Sequence, residues 1–169
     1  ITEKALGPNH PYVATDLNKF ASVYTNLGSY DKAEILFQRA LAIREIALGP
    51  DHPGTGTVLN NLAILYATQG FYAKAEPFYK RSLEILEKVF GSYHTNTALG
   101  LNNFAALYTT QSLFSKAEPL LRHSLIIQVG LMRREIPYLS IAERRTVLDT
   151  FQGVYEGLLL SSYCTRIKL

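Results

Sequence analysis

The sequence has one cysteine, one methionine and no tryptophan among 169 residues. A lone thiol, Cys164, allows no disulfide framework within the chain, so stability has to come from a packed core, and a reducing, cytoplasmic setting is natural. Cys164 also has no His and Asn beside it that read as a catalytic dyad, and a thiol nucleophile needs both a base and an orienting group. No run of 18 apolar residues occurs, so no membrane-spanning helix is expected, and no signal-peptide pattern is visible. Charge of one sign is scarce as well. The net charge is only +3, and residues 1–132 carry 11 basic and 10 acidic side chains. The excess comes largely from Arg133, Arg134, Arg144, Arg145, Arg166 and Lys168, which read as a solvated helix face. With no concentrated basic patch, nucleic acid is not an expected partner.

What the sequence does contain is a repeat. Leu6-Gly7-Pro8-Asn9-His10-Pro11 lines up with Leu48-Gly49-Pro50-Asp51-His52-Pro53, and both with Phe90-Gly91-Ser92-Tyr93-His94-Thr95, at a step of 42 residues. Leu17-Asn18-Lys19-Phe20-Ala21 aligns in the same way with Leu59-Asn60-Asn61-Leu62-Ala63 and Leu101-Asn102-Asn103-Phe104-Ala105. Tyr24, Tyr66 and Tyr108 coincide, as do Tyr30, Tyr72 and Phe114, and no insertion is needed anywhere. A fixed period of this length is the mark of a stacked array rather than of a single globular core.

Each unit reads as two helices. Leu59, Leu62, Ala63 and Tyr66 fall on one face at spacings of three, four and seven, and Gly70 ends that helix. Ala75, Phe78, Tyr79, Leu83, Leu86 and Phe90 mark a second amphipathic helix that Gly91 stops. Helices are predicted over 12–27, 31–47, 54–69, 73–89, 96–111 and 115–135. Residues 1–5 read as the tail of a preceding second helix, so the chain is expected to be a piece of a longer protein. Ala21, Ala63, Ala105, Ala33, Ala75 and Ala117 stand where helices approach closely, because a larger side chain would force the pair apart. The aromatics at 24, 66, 108, 30, 72 and 114 are expected to fill the space between units.

This pattern resembles the tetratricopeptide repeat. The residues that carry the resemblance are Leu59, Leu62, Ala63, Tyr66, Gly70, Tyr72, Ala75, Tyr79 and Ser82, with Ala40 and Ser124 keeping the last site small in the other units. The long period, with Leu-Gly-Pro-Asp-His-Pro followed by Leu-Asn-Asn-Leu-Ala-Ile-Leu-Tyr, is similar to the kinesin light chain subfamily and to bacterial, especially cyanobacterial, repeat proteins. Eight residues beyond the usual repeat add about 12 Å of helix per unit, so the inner groove should be deep. The resemblance implies an all-α fold: an α-α superhelix of three helix pairs, part of a fourth at the start, and a C-terminal capping helix. The boundaries are 1–11 for the preceding tail and loop, 12–53, 54–95 and 96–135 for the three repeats, and 136–169 for the cap. Within that last stretch Pro137 breaks the chain, Ser140 with Glu143 reads as a capping box, and an apolar stripe follows. The cap also resembles the region after the repeats in cyanobacterial proteins that carry a caspase-like protease domain.

Function is expected to lie in recognition rather than catalysis. His10, His52 and His94 are equivalent, but stacking holds equivalent atoms one helix-packing distance apart, so they cannot converge on a metal and none is expected. Gly54-Thr55-Gly56-Thr57 lacks the third glycine and the Lys-Ser/Thr pair of a phosphate loop and reads as the flexible start of a helix. No cofactor is implied, and Glu34, Glu76 and Glu118 are expected on a helix surface. The flank that the resembling family turns toward its concave groove carries Asn18, Ser22 and Thr25, then Asn60, Ile64 and Ala67, then Asn102, Ala106 and Thr109. A ladder of amides can hold an extended backbone, or bond across helices to brace the array. Asn61 and Asn103 face the opposite flank and are expected to be structural. Where some relatives hold a terminal carboxylate with Lys and Arg, this flank is neutral. The expected partner is therefore a protein or an extended peptide with modest apolar side chains. Two further expectations are a sensor or docking role within a larger caspase-like protease, and self-association through open repeat ends.

Overall fold

The structure, a computed structural model, describes residues 2–135. Among them are seven helices: α1 (Thr2–Leu6), α2 (Pro11–Asn26), α3 (Tyr30–Leu48), α4 (Pro53–Thr68), α5 (Tyr72–Phe90), α6 (Thr95–Thr110) and α7 (Phe114–Glu135). The capping helix expected within 136–169 lies outside the described residues, as does Cys164.

Each first helix starts at a histidine. The Nδ1 atoms of His10, His52 and His94 accept from the backbone N–H two residues on, those of Tyr12, Gly54 and Asn96, at 3.2, 3.0 and 3.1 Å. The ring thereby satisfies one of the donors that a helix start leaves open. Pro11 and Pro53 follow as the first helical residue, where no donor is needed. The helices therefore begin one residue earlier than predicted, and so do the second helices at Tyr30, Tyr72 and Phe114. The turn inside each pair needs a left-handed residue. Gly28 and Gly70 supply it at φ 72° and 79°, while Ser112 adopts φ 58° at the equivalent place in the third pair.

Helices pack most closely within a pair, α2 on α3, α4 on α5 and α6 on α7, and less closely from one pair to the next through α3 on α4 and α5 on α6. The six alanines expected at close approaches are at most 1% exposed. Leu59, Leu62 and Leu65 of α4 are likewise sealed, and Leu62 and Leu65 join Phe37 and Val58 in the larger core that runs along the stack. The small sites at Ala40, Ser82 and Ser124 are buried, and the two serine hydroxyls donate to the carbonyls of Gly56 at 2.8 Å and Ala98 at 3.2 Å.

Two junctions between pairs repeat one contact. Glu3 meets Arg39 at 2.5 Å, and Glu45 meets Arg81 at 2.7 Å, the same two positions one period on. α1 thus occupies against α3 the place that the end of α3 occupies against α5. Both ion pairs are partly exposed, so they set register more than they stabilise. Tyr66 and Tyr108 are buried between pairs as expected, while Phe114, 38% exposed, stands in the last described pair. Nor are Glu34 and Glu76 idle surface residues: each accepts a hydrogen bond from the tyrosine of the next pair. The glycines of the Gly54-Thr55-Gly56-Thr57 stretch answer to close contacts rather than to flexibility. A Cβ on Gly54 would sit 2.5 Å from a terminal nitrogen of Arg44, and one on Gly56 would sit 3.3 Å from Ile85. Thr55 between them is fully buried and donates to the carbonyl of Gly49 at 2.9 Å.

Candidate functional site

Successive first helices stand side by side with a second helix beneath them. The result is a furrow between α2 and α4, floored by α3, and a second between α4 and α6, floored by α5. Each furrow is bridged at mid-length by an amide rung. The Nδ2 of Asn61 donates to the Oδ1 of Asn18 at 3.0 Å, and the Nδ2 of Asn103 to the Oδ1 of Asn60, also at 3.0 Å. A longer contact of 3.4 Å from Asn60 to Asn61 joins the two rungs through α4. Asn61 and Asn103 do face the flank opposite Asn18 and Asn60 on their own helices. In the stack, however, that flank meets the preceding helix, and the two sets of amides pair.

Beyond each rung, toward the C-terminal ends of the first helices, lies a cavity at repeat-equivalent positions. In the first furrow Ser22, Thr25 and Ile64 line about 200 Å³ over the ring of Phe37. In the second, Ile64, Ala67 and Ala106 line about 440 Å³ over Tyr79. Ala67 and Ala106 stand there in place of Thr25 and Ile64 one period earlier, and Ile64 in place of Ser22. Hydroxyls on this face are turned back to their own helices: Ser22 donates to the Asn18 carbonyl, Thr25 to Ala21 and Thr109 to Ala106. Asn102, equivalent to Asn60, is half-buried and takes no part in a rung among the described residues. Thr109 lines neither cavity.

On the other side of the rung the two furrows differ. In the second, about 220 Å³ is open between Thr57, Asn60, Leu86, Leu99 and Asn103. In the first, the equivalent space holds Arg44, which stands where α5 has Leu86. Its guanidinium donates to Thr15 Oγ1 at 2.7 Å and passes against Gly54. Burial pulls Arg44 below its ordinary value, and its Nε is buried without a partner.

Electrostatically the second furrow is quiet. α4 and α6 contain no Asp, Glu, Lys or Arg. Burial alone pushes the Tyr79 hydroxyl in the floor up to about 12, so it stays neutral at any physiological pH. Of the nine expected groove residues, Ser22, Thr25, Ile64, Ala67 and Ala106 line the paired cavities, and Asn18 and Asn60 form the rungs. The sequence reading did not anticipate Arg44, Phe37 or Tyr79. The change from Arg44 to Leu86 at one repeat position was the available signal for the difference between furrows. Among the described residues no group of three or more His, Cys, Asp and Glu side chains could hold a metal ion, and no helix is long and apolar enough to cross a membrane.

Comparison with known proteins agrees with this geometry. A family model of the tetratricopeptide repeat matches residues 1–45, 13–88 and 58–127. A search of curated proteins gives no match. Among solved structures, the kinesin light chain TPR-like repeats of Podosopora anserina superpose with a TM-score of 0.64 at 23% identity, over 71% of this chain and 57% of that one. BtubC (BKLC) from P. vanneervenii superposes with a TM-score of 0.70 at 22% identity, over 92% of this chain and 61% of that one. The chain therefore spans about three fifths of the length of each of these structures. With its matched segments running from residue 1 to residue 127, the chain belongs to the tetratricopeptide repeat family.

Proposed function

We propose that this chain is a non-catalytic binding module that holds an extended segment of a partner protein along the face of its first helices. Tetratricopeptide arrays are protein-interaction modules in general, and the finer reading concerns where and what this one binds. The observation that carries it is the recurrence of one cavity, at the same repeat positions, in both furrows. An extended chain crossing the furrows would place side chains into successive cavities at the spacing of the repeat. At the second furrow the segment it suits is uncharged, because α4 and α6 offer no countercharge and an unpaired charge brought onto such a surface is costly.

The test uses peptides enriched by display against the chain. Ala106→Arg and Ala67→Arg push a long side chain into the second furrow, while Ile46→Arg alters an 84% exposed site on α3 as a control. Titration calorimetry should show loss of binding with the first two and none with the third. Binding that survives Ala106→Arg refutes the furrow as the site.

A second reading, self-association, rests on a separate observation. Phe20 and Val23 on α2 are 60% and 53% exposed, whereas their equivalents Leu62 and Leu65 on α4 are buried by the preceding pair. An apolar helix face of this kind suits a further helix pair. Light scattering across a concentration range, with Phe20→Glu as the comparison, decides it. A mass that stays monomeric in both proteins removes this reading.

A further inference from the structure

The two furrows offer a comparison within one molecule. At one repeat position Arg44 reaches into the first furrow, and at the next Leu86 leaves the matching space open. Part of the frame is kept, Thr15 corresponding to Thr57 and the Asn18–Asn61 rung to the Asn60–Asn103 rung, while Gly54, Thr57 and Val58 give way to Asn96, Leu99 and Gly100. The filled furrow shows what the frame accepts, a long unbranched stem ending in a flat hydrogen-bonding head. It also shows what the frame lacks. Arg44 brings a charge to this space, yet Thr15 takes one terminal nitrogen and Nε is left bare.

The open space is built for a neutral version of that shape. Leu86 and Leu99 give it an apolar wall for a stem. Around its rim stand the carboxamides of Asn60, Asn96 and Asn103 and the hydroxyl of Thr57, with no charged side chain among the lining residues. Asn103 Oδ1 and the Asn96 side chain bond to no other described residue, so an acceptor and a full amide remain for a guest. A carboxamide both gives and takes hydrogen bonds, and matching it leaves no charge unpaired. We propose that the cavity between α4 and α6 beside the Asn60–Asn103 rung is a subsite for a glutamine side chain of the bound segment, and that Arg44 closes its counterpart between α2 and α4.

This rests on reading the furrows as binding surfaces. It adds chemistry to one position of that surface, and Arg44 would set the register of the bound segment, because of the two equivalent subsites among the described residues one is free.

The experiment titrates the isotope-labelled chain with four capped amino acids, the N-acetyl methylamides of glutamine, glutamate, arginine and norleucine. The readout is the side-chain amide resonances of Asn96 and Asn103. The glutamine probe should give saturable shifts there and bind about tenfold more tightly than the others, the factor that follows from leaving one or two polar groups unmet. Leu86→Arg with Asn96→Gly transplants the Arg44–Gly54 arrangement into the second furrow and should abolish the Asn103 shifts. Arg44→Leu, tested separately on a Gly54→Asn background that supplies the amide of Asn96, should create a second set of shifts at Asn18 and Asn61. Should the Leu86→Arg variant not fold, the Arg44→Leu protein and the probe series on the natural chain decide alone. Equal or tighter binding of arginine or norleucine, or no saturable shift, overturns the subsite. The furrow reading itself stands or falls separately, on whether Ala106→Arg blocks a displayed peptide.

Discussion

Glu34 in α3 accepts a hydrogen bond from the Tyr66 hydroxyl in α4 at 2.7 Å, so a carboxylate in one repeat is held by the next. The bond recurs one period on, from Tyr108 to Glu76 at 2.9 Å, and Lys74 and Lys116 lie over the two rings. Burial first, and then the carboxylate partner, pushes both tyrosines up to about 12. The folded chain therefore holds these protons more tightly than an unfolded chain, whose tyrosines titrate near 10. Their contribution is complete below about pH 10 and is lost as pH rises toward 12. Thermal melts followed by circular dichroism should show a steep fall in stability over that window. Tyr66→Phe with Tyr108→Phe should be less stable at neutral pH, by about 1 kcal/mol per bond, and flatter above pH 10. Tyr79, also raised to about 12, leaves a residual slope.

Ser112 holds a left-handed conformation at φ 58° where the two preceding repeats use Gly28 and Gly70. A side chain in that region costs roughly 1 kcal/mol. Ser112→Gly should raise stability by about that amount, and Gly70→Ser should lower it similarly. Urea midpoints at unchanged slope would check both.

The histidine caps act through one ring nitrogen. His52→Ala should cost about 1 kcal/mol, because the Gly54 N–H loses its acceptor. His52→Asn keeps an acceptor at the cap and should recover most of the loss. Equal destabilisation by the two substitutions would mean that the ring matters for packing and not as a cap.

The amide rung makes a quantitative claim about coupling. A double-mutant cycle with Asn60→Ala and Asn103→Ala should give an interaction energy of about 1 kcal/mol. Asn102→Ala, which removes an amide outside the rungs among the described residues, should change stability far less. The contrast separates amides that brace the array from one left for other contacts.

Much of this fold was legible because a 42-residue repeat prints each structural decision three times. The repeated apolar spacing announced the helices, and the repeated alanines announced the close approaches. What period and helical wheel could not show was which flank of one helix meets which flank of the next. Asn18 and Asn61 lie 43 residues apart, one more than the period, so aligning the repeats on themselves never pairs them. Tyr66 and Glu34 are hidden in the same way, being 32 residues apart across a junction. The difference between furrows was missed for the opposite reason. It depends on one position, Arg44 against Leu86, where the repeat breaks its own rule, and a search for sameness passes over it.

The central claim is that a partner lies along the first helices, in the furrows. A photoreactive benzoylphenylalanine placed at Ala106 in one protein and at Ile46 in another, each irradiated with a peptide selected by display, tests it most directly. Mass spectrometry should find the peptide joined at position 106 and not at position 46. A peptide joined at 46, with 106 unreacted, would place the binding surface on the second helices and contradict the account.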